Sequence, residues 1–181
     1  MNNLKDMRCY LVGAIDLAKD KGKGWRQEVT PTLKSFGVRV MDPCKKPVTT
    51  NSLNEESPEY FLYKQRLKSE ERYDELSALM KPVRSMDLAM VDRCDFVMAV
   101  IDISIHACGT YEELSWAARC KKPTIAICVQ GKKFMPDWMF AMHPHKLFFS
   151  NFADSFDYLN YIDKTPEDKI ETLGRWKFFK V

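Results

Sequence analysis

Phe96–Leu114 reads FVMAVIDISIHACGTYEEL, an unbroken apolar run, then a loop of small and polar residues, then the opening of a helix. An apolar run without polar alternation, Phe96 to Ile101, is what a parallel strand covered on both faces requires. The loop beginning at Asp102 carries Glu113 to the carboxyl edge of the sheet, where ligand sites of open α/β sheets lie. Gly109 permits close backbone approach, and a glutamate in the first turn of the following helix sits near the positive end of the helix dipole, which favours its ionised form. A carboxylate held there can act as a nucleophile. The same letters also spell a capping box, Thr110-x-x-Glu113, in which the two side chains satisfy each other's backbone donors.

Outward from this stretch the chain alternates. Cys9–Gly13 (CYLVG) reads as a first strand, and a helix starting at Gly24 places Trp25, Val29, Leu33 and Phe36 at helical spacing before Gly37 ends it. Val38–Met41 is a short second strand stopped by Asp42-Pro43, and Pro47–Pro58 is polar and turn-rich. The charged segment from Pro58 to Met80 predicts one or two exposed helices, an insertion over about 47–84. A new helix is expected from Pro82 to Arg93, then the Phe96 strand, a helix from Thr110 to Cys120 and a strand from Thr124 to Val129. Met135–His145 reads as an aromatic turn segment, Leu147–Phe149 as a fifth strand, and Phe152, Phe156 and Leu159 mark a last helix. This order predicts an α/β fold, a flavodoxin-like or Rossmann-like three-layer sandwich with a parallel central sheet and a helical insertion. The whole chain, 1–181, is expected to form a single domain.

With 181 residues and a net charge of +3, the chain is short of the basicity of a dedicated nucleic-acid binder, so no nucleic-acid polymer is expected as a partner. No apolar run approaches the ~20 residues of a membrane span, and Met1–Arg8 lacks a signal's apolar core, so a soluble, cytoplasmic protein is expected. Six cysteines without a C-x-x-C pair predict no disulfide framework, and His106, His143 and His145 have no zinc spacing to other ligands. The basic residues Lys19, Lys21, Lys23 and Arg26 can meet a phosphate or form a solvated loop. Trp176, Phe178 and Phe179 are too apolar to float freely and are expected to dock on the core or on another subunit.

Three further acids accompany Glu113. Asp87 lies one turn before Met90 and Val91, on a face that carries apolar side chains to the core, where an unpaired carboxylate is costly. It either opens its helix with favourable N-terminal charge or works. Asp16 follows the first strand in the loop Gly13-Ala14-Ile15-Asp16, where it can accept hydrogen bonds from a base or sugar, or cap a turn. Asp102 ends the Phe96 strand and carries the same alternatives.

Three blocks in order, YLVGAID (Tyr10–Asp16), DLAMVDRCDFVMAVID (Asp87–Asp102) and CGTYEELSWAARCKKP (Cys108–Pro123), resemble the nucleoside 2-deoxyribosyltransferases and their relatives, the nucleoside 5′-monophosphate N-glycosidases. The resemblance implies that Glu113 attacks the anomeric carbon to form a glycosyl ester, while Asp87 helps protonate the departing base and orients the nucleophile. It implies that Gly109, Thr110 and Tyr111 shape the sugar pocket and that Gly13, Ala14, Ile15 and Asp16 face the base. Breaking an N-glycosidic bond develops positive charge on the sugar and negative charge on the base, so an ionised carboxylate and a proton donor suffice, and no metal or organic cofactor is required. Six residues before the glutamate, the family offers an aspartate to a 5′-hydroxyl or a serine to a 5′-phosphate, whereas this chain has Ala107. Ser104 and His106 are the nearby substitutes, and the loss of that aspartate together with the basic Lys19–Arg26 loop tilts the expectation toward a nucleotide. Ser115 replaces a frequent glycine, a small change. The resemblance also implies a homo-oligomer in which Pro136–His145 or Trp176–Phe179 helps close a neighbour's pocket. The alternative is a non-catalytic nucleotide-binding sensor that keeps the glutamate as a cap.

Overall fold

Strand β1 (Arg8–Gly13) is buried from its second residue onward, and its alternate side chains feed two separate cores, as a period of two demands. The computed structural model describes residues 2–45, 57–170 and 175–178. Strands β2 (Arg39–Met41), β3 (Phe96–Ile101), β4 (Thr124–Cys128) and β5 (Phe148–Phe149) join β1 in a wholly parallel sheet of order β2-β1-β3-β4-β5. This is a doubly wound order of the flavodoxin-like kind. The register sets Tyr10 beside Met41 on one side and Val97 on the other.

The helices are α1 (Lys23–Ser35), α2 (Pro58–Ser69), α3 (Tyr73–Arg93), α4 (Cys108–Arg119), α5 (Asp137–Met142) and α6 (Phe152–Lys164). Cys9, Leu11, Phe96 and Met98 pack with Val29 and Leu33 of α1 and Leu159 and Ile162 of α6. On the opposite face Tyr10, Val12, Val97 and Ala99 pack with Val91 of α3, Leu114 and Ala117 of α4, and Met139 of α5. The three-layer sandwich expected from the alternation is therefore present. Among the described residues, no helix is long and apolar enough to cross a membrane.

Two local expectations are corrected, and one open alternative is decided. The helix expected to begin at Pro82 is the second half of α3, which runs from Tyr73 straight through that proline. Pro82 removes one backbone N–H from the ladder, but burial of Leu88 and Val91 against the sheet and packing of α3 on α2 hold both halves in line. The turn segment at Met135–His145 contains α5, anchored by the buried Met139. Trp176 docks on the core of its own chain, its ring 5.3 Å from that of Phe96. Residues 46–56 and 179 lie outside the described residues, and with them most of the expected 47–58 loop and Phe179.

The turn from β1 into α1 is built around a buried cation. Gly22 has φ 71, and a Cβ there would fall 2.4 Å from the Ala14 carbonyl oxygen, so only glycine fits. Arg26, 1% exposed, donates to the carbonyls of Gly22 at 2.8 Å and Gly13 at 2.9 Å, and its Nε lies 3.6 Å from Asp42 Oδ1. Because it satisfies carbonyls that no water reaches, Arg26→Met is expected to cost about 3 kcal/mol and to lower the melting temperature by roughly 6–12 °C. A melting temperature within a degree of wild type would remove Arg26 from this structural role.

Candidate active site

Strands β1 and β3 are neighbours whose chains leave the sheet to opposite faces, β1 into α1 and β3 into α4. The crevice at such a switch point is where ligands bind in open α/β sheets. A cavity of about 360 Å³ opens there, lined by Gly13, Ala14, Ile15, Asp16 and Leu17 of the β1–α1 turn, by His106 to Thr110, by Asp87 and Glu113, and by Phe61, Lys64, Met80 and Val83 of α2 and α3. A second cavity of about 640 Å³ between α3 and α4 shares Asp87, Gly109 and Glu113 with it.

Glu113 is not where the dipole argument put it. Helix α4 begins at Cys108 with Ala107 as N-cap, no side chain caps it and its first turn holds no acid. Thr110 is thus inside the helix and buried, the expected capping box is not formed, and Glu113 stands in the second turn, beyond the main reach of the dipole. What fixes it is Tyr10, whose hydroxyl donates to Glu113 Oε1 at 2.5 Å. The pleat of β1 aims Tyr10 at the α4 face and leaves it fully buried. Burial pushes the Tyr10 phenol well above its usual range, the negative charges of Glu113 and Asp87 and the bond to Glu113 push it further, and Arg26 opposes them. Tyr10 therefore remains a donor at any working pH. Asp87 is half-buried in the middle of α3 rather than in an opening turn, and it faces both cavities. The sequence placed Tyr10 in the first strand without giving it a role. The available signal was a single hydroxyl in an otherwise apolar buried strand, which needs a partner.

The structure brings together Gly13, Ala14, Ile15, Asp16, Asp87, His106, Gly109, Thr110 and Glu113 around the first cavity. A Cβ on Gly109 would meet nothing within 4 Å, so this glycine leaves open space rather than admitting a close backbone neighbour. Four expected residues sit elsewhere. Arg26 is consumed by the carbonyls of its own turn. Asp102 accepts from the Ser104 backbone and hydroxyl and from Gln130 Nε2, bonds that hold its carboxyl below the usual range despite some burial. Ser104 is thereby spent on the loop itself. Tyr111 packs against the α4-side core, where burial raises its phenol.

Beneath the site lies a group the sequence reading did not assign. His143, 2% exposed, has Nε2 3.1 Å from the carbonyl of Leu114, the residue after Glu113. A carbonyl only accepts, so Nε2 carries the proton, and Nδ1 accepts from Arg175 of the C-terminal segment at 3.3 Å. Burial lowers its pKa to about 4, the bond to Leu114 working against burial and the charge of Arg175 with it.

No family model matches the chain, and no curated protein matches it in sequence. Among solved structures, the fold is shared with a 2-deoxyribosyltransferase from Bacillus psychrosaccharolyticus, with a TM-score of 0.56 and 14% identity over 89% of this chain and 93% of that one. A CMP N-glycosidase, BcmB, from Clostridium botulinum aligns with a TM-score of 0.46 and 16% identity over 84% of this chain and 98% of that one. The chain thus has a 2-deoxyribosyltransferase-like α/β fold.

The lowered pKa of His143 gives a pH prediction. As pH falls below about 6.5 the unfolded chain takes up this proton while the folded chain refuses it until about 4. Its contribution to stability is therefore complete above 6.5 and lost progressively toward 4, on the order of 3 kcal/mol in all. Urea midpoints measured across this window should fall more steeply for wild type than for His143→Gln, and parallel curves would show that His143 is not held neutral.

Proposed function

We propose that this chain is an enzyme that cleaves the N-glycosidic bond of a nucleoside or nucleotide through a covalent intermediate on Glu113. The observation that carries the reading is the fully buried Tyr10 hydroxyl, 2.5 Å from Glu113 Oε1, which fixes that carboxylate at the switch-point cavity it shares with Asp87. The sequence resemblance in three blocks and the likeness of fold to a 2-deoxyribosyltransferase support it.

In this reading Glu113 attacks the anomeric carbon as the bond to the base breaks, and the bonding pair leaves on the base nitrogen. Asp87 supplies the proton that neutralises the base, and the sugar remains as an ester on Glu113. Water or a second base then attacks the anomeric carbon, Asp87 takes up the displaced proton, and the Glu113 carboxylate is restored. Tyr10 holds one oxygen of Glu113, so that the other is presented to the sugar. The open space at Gly109 leaves room for the ring above that oxygen, and His106 lines the cavity beside Ala107, where the resembled family places its 5′-group ligand.

Base release from a panel of nucleosides and 5′-monophosphates, followed by chromatography with and without an added acceptor base, tests this. Glu113→Gln should lower release by at least about 1,000-fold, because an amide is a poor nucleophile. Tyr10→Phe should keep the fold and lower release by about 10-fold, the worth of one hydrogen bond to a charged group. Release that survives Glu113→Gln unchanged would refute the mechanism. Release without acceptor marks a hydrolase, and exchange only with acceptor marks a transferase.

A further inference from the structure

The α2 side of the cavity has its own chemistry. Lys64, on α2, is 5% exposed, yet it lines the cavity. A buried ammonium is costly without a partner, and its Nζ lies 2.5 Å from Asp16 Oδ1. The Asp16 side chain is 51% exposed and lines the same cavity. The main chain of Asp16 is held as well, since Lys21 Nζ donates to its carbonyl at 2.7 Å. Lys21 in turn lies over the Phe61 ring, 4.2 Å from its centroid. Lys64 of α2 and Lys21 of the β1–α1 turn therefore hold one aspartate at the rim, the first by its carboxylate and the second by its main-chain carbonyl. Beside it, Phe61, Leu76, Met80 and Val83 of α2 and α3 give the cavity an apolar wall.

A nucleobase has apolar faces and polar edges, and this wall offers a matching combination of aromatic and aliphatic surface with one fixed polar group. A carboxylate accepts hydrogen bonds and donates none. We infer that Asp16, with Lys64 as its positioning residue, selects a leaving base whose edge carries an exocyclic amino group and rejects the counterpart that carries a carbonyl at that position. The amino group donates to the carboxylate, whereas a carbonyl oxygen faces it with like partial charge and leaves both acceptors unpaired. This rests on the proposed N-glycosidic activity and names the class of base. With the sugar over Glu113, the base lies against the α2–α3 wall with its edge toward Asp16.

The test uses the full chain and two substrate pairs that exchange this amino group for a carbonyl, and with it turn the adjacent ring nitrogen from acceptor to donor: cytidine against uridine and adenosine against inosine, as 2′-deoxynucleosides and as their 5′-monophosphates. Wild type should favour the amino member of each cleaved pair by on the order of 100-fold in kcat/KM. Asp16→Asn, which offers both a donor and an acceptor, should bring that ratio below about 5-fold. Because Asp16→Asn leaves the Lys64 ammonium without its anion, the double variant Asp16→Asn/Lys64→Met is measured beside it and should lose the preference equally. A merely structural role for the Asp16–Lys64 pair would change rates on both members together and leave the ratio intact. A wild-type ratio near one, or a ratio that persists in both variants, overturns the inference while leaving the cleavage reading in place. Absence of Glu113-dependent release from every substrate overturns the cleavage reading and this inference with it.

Discussion

A phenol buried in an inner strand of the sheet must find an acceptor or lose on the order of 1–3 kcal/mol. Tyr10 finds Glu113, and much of the surrounding structure follows from that bond. The pleat of β1 directs Tyr10 to the face covered by α3 and α4, so the acceptor has to come from one of those helices. Because α4 starts at Cys108, Glu113 falls in its second turn, where the helix dipole contributes little and the tyrosine takes over the orienting role. His143 holds the next residue, Leu114, through its carbonyl, so the carboxylate is located from the strand side and from the helix backbone at once.

The two faces of the sheet have divided tasks. Helices α1 and α6 and Trp176 make a large apolar core around Phe96 and Met98, and a buried cation, Arg26, closes the β1–α1 turn against backbone carbonyls. That turn is the floor of the cavity, so Arg26 serves the site through the shape of Gly13 to Leu17. The other face carries the acids. There α2 and the continuous α3 supply both Asp87 and the wall that meets the Asp16–Lys64 pair.

Strands β1 and β3 and the switch-point location were readable in the chain, because a strand covered on both faces must be apolar throughout and the turn residues that flank it are distinctive. The start of α4 and the course of α3 were not. Thr110 is a good cap and Pro82 a good first helical residue by local rules, but packing of α3 and α4 on the sheet outweighs either preference. Asp16 and Lys64 are 48 residues apart, and nothing in one sequence reports that a helix beyond β2 folds back over the first turn. Arg26 shows the converse limit. A basic residue near a glycine-rich turn reads as a phosphate ligand until its burial and its carbonyl partners are seen.

Covalent attachment of the sugar to Glu113 is tested by the mass of the Glu113-containing peptide after quenching a reaction with a 2-deoxy-2-fluoro nucleoside or its 5′-monophosphate. The fluorine opposes the positive charge that develops on the sugar, and so lets the ester accumulate. One equivalent of released base and a gain of one glycosyl mass on that peptide, absent in Glu113→Gln, are expected. A stoichiometric burst of base with the added mass on another residue, or on none, would contradict attachment at Glu113.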